Sequence, residues 1–194
     1  MKKLIIILGF IFVIGIVIGT FIFFNKSETT DVIDEVNGYV LLSNASDYEK
    51  ELFGLLKNDL EKDEKAEIIF KLFVANFYSL DLAYSKNDVR GVQFVYESFQ
   101  DDFVKKAKDT VYFNVKNNFF EKRMQTLPIV KEVEVVESEE STFTIGDEEY
   151  DAYFFKGNVN YVIDDGFDTE VSSYIIINEN KLEVVSLDTY LSGM

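Results

Sequence analysis

The stretch Pro128–Ser138, "PIVKEVEVVES", is where the chain changes period. Val133 and Val135 fall on one side of an extended backbone, with Glu132 and Glu134 on the other. That twofold alternation marks a half-buried strand. The pattern continues to the carboxy terminus. In "YFFKGNVNYVID" (153–164), Tyr153, Phe155, Val159, Tyr161 and Ile163 take every second place, with Gly157 as the exception. In "EVSSYIIIN" (170–178), Val171, Ile175 and Ile177 share a face, and "KLEVVSLDTYL" (181–191) closes the series. Gly146-Asp147, Asp165-Gly166 and Asn178-Glu179-Asn180 separate these runs, as turns require.

Before Pro128 the period is helical. A first helix is predicted over 47–58, capped by Ser46 or Asp47, with Leu52, Leu55 and Leu56 as its apolar stripe. A second is predicted over 64–82, where Ile69, Phe73, Ala75, Phe77 and Leu80 recur at helical spacing. A third is predicted over 98–118, with Phe99, Phe103, Ala107, Val111 and Val115 in steps of four and Ser98 with Asp101 as a capping box. Helices followed by an antiparallel meander define an α+β domain, residues 47–194, with helices on one face of a curved sheet. Residues 25–46 read as a tether, with Tyr39–Leu42 expected to dock on the domain.

The amino-terminal segment has a different character. Leu4–Phe24 carries no charge and no proline. As a helix its length is about 32 Å, enough to cross a bilayer core. It ends in bulky Phe21-Ile22-Phe23-Phe24 rather than a small-residue cleavage site, so an uncleaved anchor is expected instead of a signal peptide. Lys2 and Lys3 precede the span, and Lys26 follows it, with Glu28 and Asp31 soon after. The positive-inside rule then leaves residues 1–3 in the cytoplasm and the large domain outside a single-pass membrane protein. Gly15 and Gly19 form a GxxxG pair, which is either incidental or a contact through which two spans dimerise.

Composition limits the chemistry. The chain has no Cys, no His and one Pro, and its formal charge is −16. A disulfide framework, a thiolate nucleophile and the commonest base near neutral pH are all missing. No phosphate loop, nucleophile elbow or metal-protease helix occurs. Past Lys26, 35 acids face 16 bases, so nucleic acids and anionic lipid surfaces are disfavoured partners. The acidic run Asp164–Glu170 lacks the EF-hand spacing and reads as a solvated turn, so no metal or cofactor is assigned. The polar knot Ser85–Gly91 lies between the second and third helices. Asn87, Asp88 and Gly91 suit a helix corner, Gly91 by taking a positive φ. The alternative is a polar pocket built from Asp81, Lys86, Asp88 and Arg90.

Helices followed by a meander over roughly 47–191 resemble nuclear-transport-factor-2-like domains, a cone-shaped α+β fold. Together with the short tail and one span, the layout resembles the bitopic scaffold subunit of type IV secretion and conjugation machines. It departs from the Asn-Pro turn of that subunit, because Leu127 precedes Pro128. The stretches "FYSLD", "SKNDVRGVQFVY" and "AKDTVY" also look like those of membrane-anchored proteins of Gram-positive bacteria. The resemblance implies a non-enzymatic, extracytoplasmic scaffold in the cell envelope that binds a protein partner or itself. The alternative is a small-ligand or lipid binder using an aromatic-lined cone, since the outer domain holds most of the 19 Phe and all 11 Tyr.

Overall fold

The computed structural model describes residues 31–118, 122–163, 167, 169–179 and 181–189. The expected tail and span, with Gly15 and Gly19, lie outside them, as do Asp164–Gly166 and Asp168 of the acidic run. Among the described residues no helix is long and apolar enough to cross a membrane. The architecture is α+β, with helices packed on a curved antiparallel sheet.

The stretch read as a tether contains a hairpin. β1 (Val32–Val36) and β2 (Tyr39–Leu42) pair across Asn37-Gly38. Both turn residues have positive φ, 52° and 79°, the geometry that matches strand twist in a two-residue turn. Tyr39 and Leu41 are buried, so β2 docks as expected. α1 (Asp47–Leu55) follows, and Ser46 and Glu49 cap each other reciprocally at its start. α2 (Lys62–Tyr78) is the central helix, and every residue from Ile68 to Tyr78 except Lys71 is buried. A 3-10 turn, Leu80–Leu82, ends it, so the helix expected over 64–82 lies earlier and breaks at Ser79. Two further 3-10 turns, Val92–Phe94 and Glu97–Phe99, lead into α3 (Gln100–Asp109).

α3 is shorter than its stripe predicts. Thr110 leaves helical geometry, and its hydroxyl donates to the Lys106 carbonyl at 2.7 Å. The chain then turns inward to bury Tyr112 and Val115. Ser98 lies inside a 3-10 turn and caps nothing, so the expected capping box does not form.

The meander β3 (Val130–Ile145), β4 (Glu148–Tyr161), β5 (Glu170–Asn178) and β6 (Lys181–Val184) is antiparallel in chain order. β7 (Asp188–Thr189) continues along the same edge of β5 as β6. α2 lies across β3 to β6, where Phe70 stacks on Phe155 at 5.4 Å. Each such fully buried side chain contributes about 1.5–3 kcal/mol.

A bulge between Val135 and Glu137 changes which residues of β3 face α2. Before it, Val133 lies toward the core opposite Val159. After it, Ser138 opposes Phe155 and Glu140 opposes Tyr153, so even-numbered residues take that side. Gly157 sits opposite Val135 at this point. A Cβ there would stand 3.1 Å from both the Glu134 carbonyl oxygen and the Phe70 ring. Glycine thus lets α2 approach the sheet where it bends.

Three strand edges are closed by single side chains. The Tyr39 hydroxyl donates to Leu182 O at 2.5 Å and accepts from Leu182 N at 3.1 Å on β6. The Tyr48 hydroxyl accepts from Val133 N at 3.1 Å and donates to Val133 O at 3.5 Å on β3. The Gln93 amide does the same for Val40 on β2, at 2.7 and 3.0 Å. Each satisfies backbone groups that an edge would otherwise leave open.

Candidate functional site

Two regions could carry chemistry, the polar knot and an aromatic cleft. The knot forms because a buried guanidinium needs partners for its donors. Arg90 and Glu49 are each almost fully buried, and Arg90 Nη2 donates to Glu49 Oε1 at 2.9 Å. Arg90 Nη1 donates to Asn44 Oδ1 at 3.1 Å and Nε to the Asn76 carbonyl at 3.3 Å. The second carboxylate oxygen of Glu49 accepts from Ser46 N at 2.7 Å, and Asn76 Nδ2 also donates to Oε1. Asn76 Oδ1 accepts from Gly91 N at 2.6 Å. Tyr112, fully buried, donates its hydroxyl to Phe77 O at 2.7 Å and accepts from Arg90 N at 3.2 Å. Burial pushes the Tyr112 hydroxyl pKa well above the ordinary tyrosine value.

The four residues weighed as a polar pocket are not gathered into one. Arg90 turns into the core toward Glu49. Asp81 pairs with Arg123 at 3.0 Å. Asp88 Oδ2 accepts from Tyr84 N at 2.8 Å and closes the turn, and Lys86 is exposed. Gly91 has φ 84°, the positive value expected of it. The knot is a helix corner in which Arg90 anchors the chain to α1 and α2.

The cleft lies on the other side of α2's aromatic stripe. Phe73, Phe77 and Tyr78 form one wall, Phe99, Phe103 and Ala107 a second, and the chain from Val184 to Leu187 a third. Its volume is about 630 Å³. The rings of Phe77 and Phe103 meet at 5.0 Å, and those of Phe73 and Phe103 at 5.8 Å. Asp102 and Lys106 on α3, and Thr110 just past its end, stand at the cleft. At the third wall the edge strand is interrupted: Ser186 Oγ accepts from Tyr174 N at 3.0 Å, and Ser173 Oγ donates to Ser186 O at 2.5 Å. This detour carries the chain past the cleft while keeping the β5 backbone bonded. Sequence reasoning found the stripe Phe99, Phe103, Ala107 and read 181–191 as one closing strand run. It did not find that this run breaks between Val184 and Asp188, where the chain forms the opposing wall. Comparison with protein families, curated proteins and solved structures finds no match for this chain.

Proposed function

We propose that the chain is a non-enzymatic binding domain of the cell envelope, held at the membrane by residues 4–24. Its aromatic cleft would take the apolar part of a small amphipathic ligand such as a lipid acyl chain. The observation that carries this reading is the cleft of about 630 Å³, walled by Phe, Tyr and Val. Its volume lies within the range of ligand pockets, and polar groups are confined to a few positions such as Asp102, Lys106 and Thr110. The knot supports the same choice, because its polar groups are occupied with one another. The order of helices then meander keeps a nuclear-transport-factor-2-like cone, open at this cleft, as part of the proposal. The protein-partner reading draws on a different surface, the outer edge of β3.

Native mass spectrometry of the full-length chain released from its membrane tests the reading. The expected result is a bound amphiphile that Ala107→Phe, which fills part of the cleft, no longer retains. A bare chain in the parent protein, or the same adduct in a folded Ala107→Phe variant, would rule the cleft out as a ligand site.

A further inference from the structure

Strand register shows which backbone groups of β3 point away from the sheet. Val159 N donates to Thr169 O, toward β5, so Val159 and every second residue of β4 turn from β3. The β3 residues opposite the remaining β4 positions therefore bond inward. Past the bulge these are Glu137, Glu139, Ser141, Phe143 and Ile145. The N–H and C=O groups of Ser138, Glu140, Thr142 and Thr144 thus point outward. Among the described residues none of these outward groups has a hydrogen-bond partner. This edge differs from those at Val40, Val133 and Leu182, each of which a side chain closes.

The side chains say what could pair there. Residues 137–151 carry seven acids and no Lys or Arg. Glu137, Glu139 and Glu140 are exposed beside the open backbone. Lys156, opposite Glu137, pairs with Glu170 at 3.1 Å. A second copy of this edge would set acids against acids, and like charges directly opposite repel. A nucleic acid or an anionic lipid surface is repelled as well. On the face of Glu137 and Glu139 the strand continues through Ser141 to Phe143, which packs against Tyr174 at 5.4 Å. One end of the edge is therefore anionic, and the other presents a half-buried aromatic.

We infer that the outer edge of β3 from Ser138 to Thr144 receives an extended basic segment of another polypeptide as an added antiparallel or parallel strand. Main-chain bonds to the four open residues hold the segment. Its Lys or Arg side chains lie over Glu137, Glu139 and Glu140, and an apolar side chain lies beside Phe143. The acids serve two roles: they draw a basic segment in and prevent the edge from pairing with itself.

The test uses the full-length chain in nonionic detergent and a peptide of about ten residues in which pairs of Lys alternate with pairs of Val, so that each face of the added strand carries both. A second peptide keeps every Lys but replaces the central Val residues with Pro, which removes main-chain donors at equal charge. The expected result is that the Lys-Val peptide binds about tenfold or more tighter than the Pro peptide, and that salt weakens it. Thr142→Pro, whose lost N–H points outward, is expected to erase the difference while Glu139→Gln with Glu140→Gln weakens both peptides. Equal binding of the two peptides to the parent chain would overturn strand addition and leave only a diffuse acidic field. Pairing of the edge with a second copy, seen as dimers that Thr142→Pro dissociates, would overturn it too.

Discussion

The knot and the cleft share α2 and differ in what surrounds their side chains. At the knot Glu49, Asn76, Arg90 and Tyr112 are buried and bonded to one another, so each polar atom that leaves water meets a partner. At the cleft Phe77 and Phe103 border space that the chain does not fill. Burial with every partner present is a structural device, because nothing is left over for a ligand. Unfilled apolar volume is a capacity to bind. The two regions are also mechanically joined. Tyr112 of the knot bonds the carbonyl of Phe77. A Cβ on Gly91 would stand 3.3 Å from the Cβ of Phe77. The knot therefore holds one wall of the cleft in place.

The largest expected effect comes from breaking the knot's ion pair. Arg90→Met leaves Glu49 buried without its counter-charge and should cost about 3–5 kcal/mol in urea unfolding. Adding Glu49→Leu to that variant removes the stranded carboxylate and should recover part of the loss. A cost of Arg90→Met below about 1 kcal/mol would mean that water reaches Glu49, and the contrast with the cleft would collapse.

Tyr112→Phe comes next, at about 1–3 kcal/mol, since it strands Phe77 O and Arg90 N. It also has a pH signature. Burial raises the Tyr112 and Tyr39 pKa values above the ordinary value of about 10, so the folded state holds these protons more tightly than the unfolded state. Their contribution is fully present below about pH 10 and is lost as pH rises beyond it. Unfolding free energy should therefore fall between about pH 9 and 11, less steeply in Tyr112→Phe than in the parent. Equal slopes would place that titration elsewhere.

Much of this was legible in the sequence. Ser46 with Glu49, the aromatic period of α2, Gly91 and the twofold runs after Pro128 are local signals, and the chain obeys them. The hairpin Val32–Leu42 was legible too, through Asn37-Gly38, but its arms of five and four residues are too short to show a clear twofold period. The Arg90–Glu49 pair was not, because 41 positions separate the partners and only the docking of α1 brings them together. The split of Asp81 toward Arg123 is non-local for the same reason. The recurrence of Phe99 and Phe103 announced an apolar face. Whether that face closes on its neighbours depends on volumes that no period encodes.

Gly157 tests the bend at which the sheet meets α2, the helix that both regions share. Gly157→Ala must push against the Glu134 carbonyl, which is backbone and cannot rotate away, and against Phe70. A loss of about 1–3 kcal/mol is expected, typical of overpacking, measured by thermal or urea unfolding. A neutral result would mean that the sheet relaxes at the bulge without cost.

The smallest expected effect belongs to the cleft itself. Asp102 and Lys106 are exposed on α3, and neither has an ion-pair partner among the described residues. Replacing both, Asp102→Asn with Lys106→Gln, removes two charges of opposite sign, so the net charge and the core stay as they were. Stability should change by no more than about 0.5 kcal/mol, as for surface sites away from packed features. If the cleft holds an amphiphile, the same double variant should alter which bound mass the full-length chain retains, because the polar end of the ligand would meet these positions. A stability loss above about 1 kcal/mol would make the rim part of the architecture, like the knot. Unchanged stability with an unchanged ligand would leave the aromatic walls alone to select what binds.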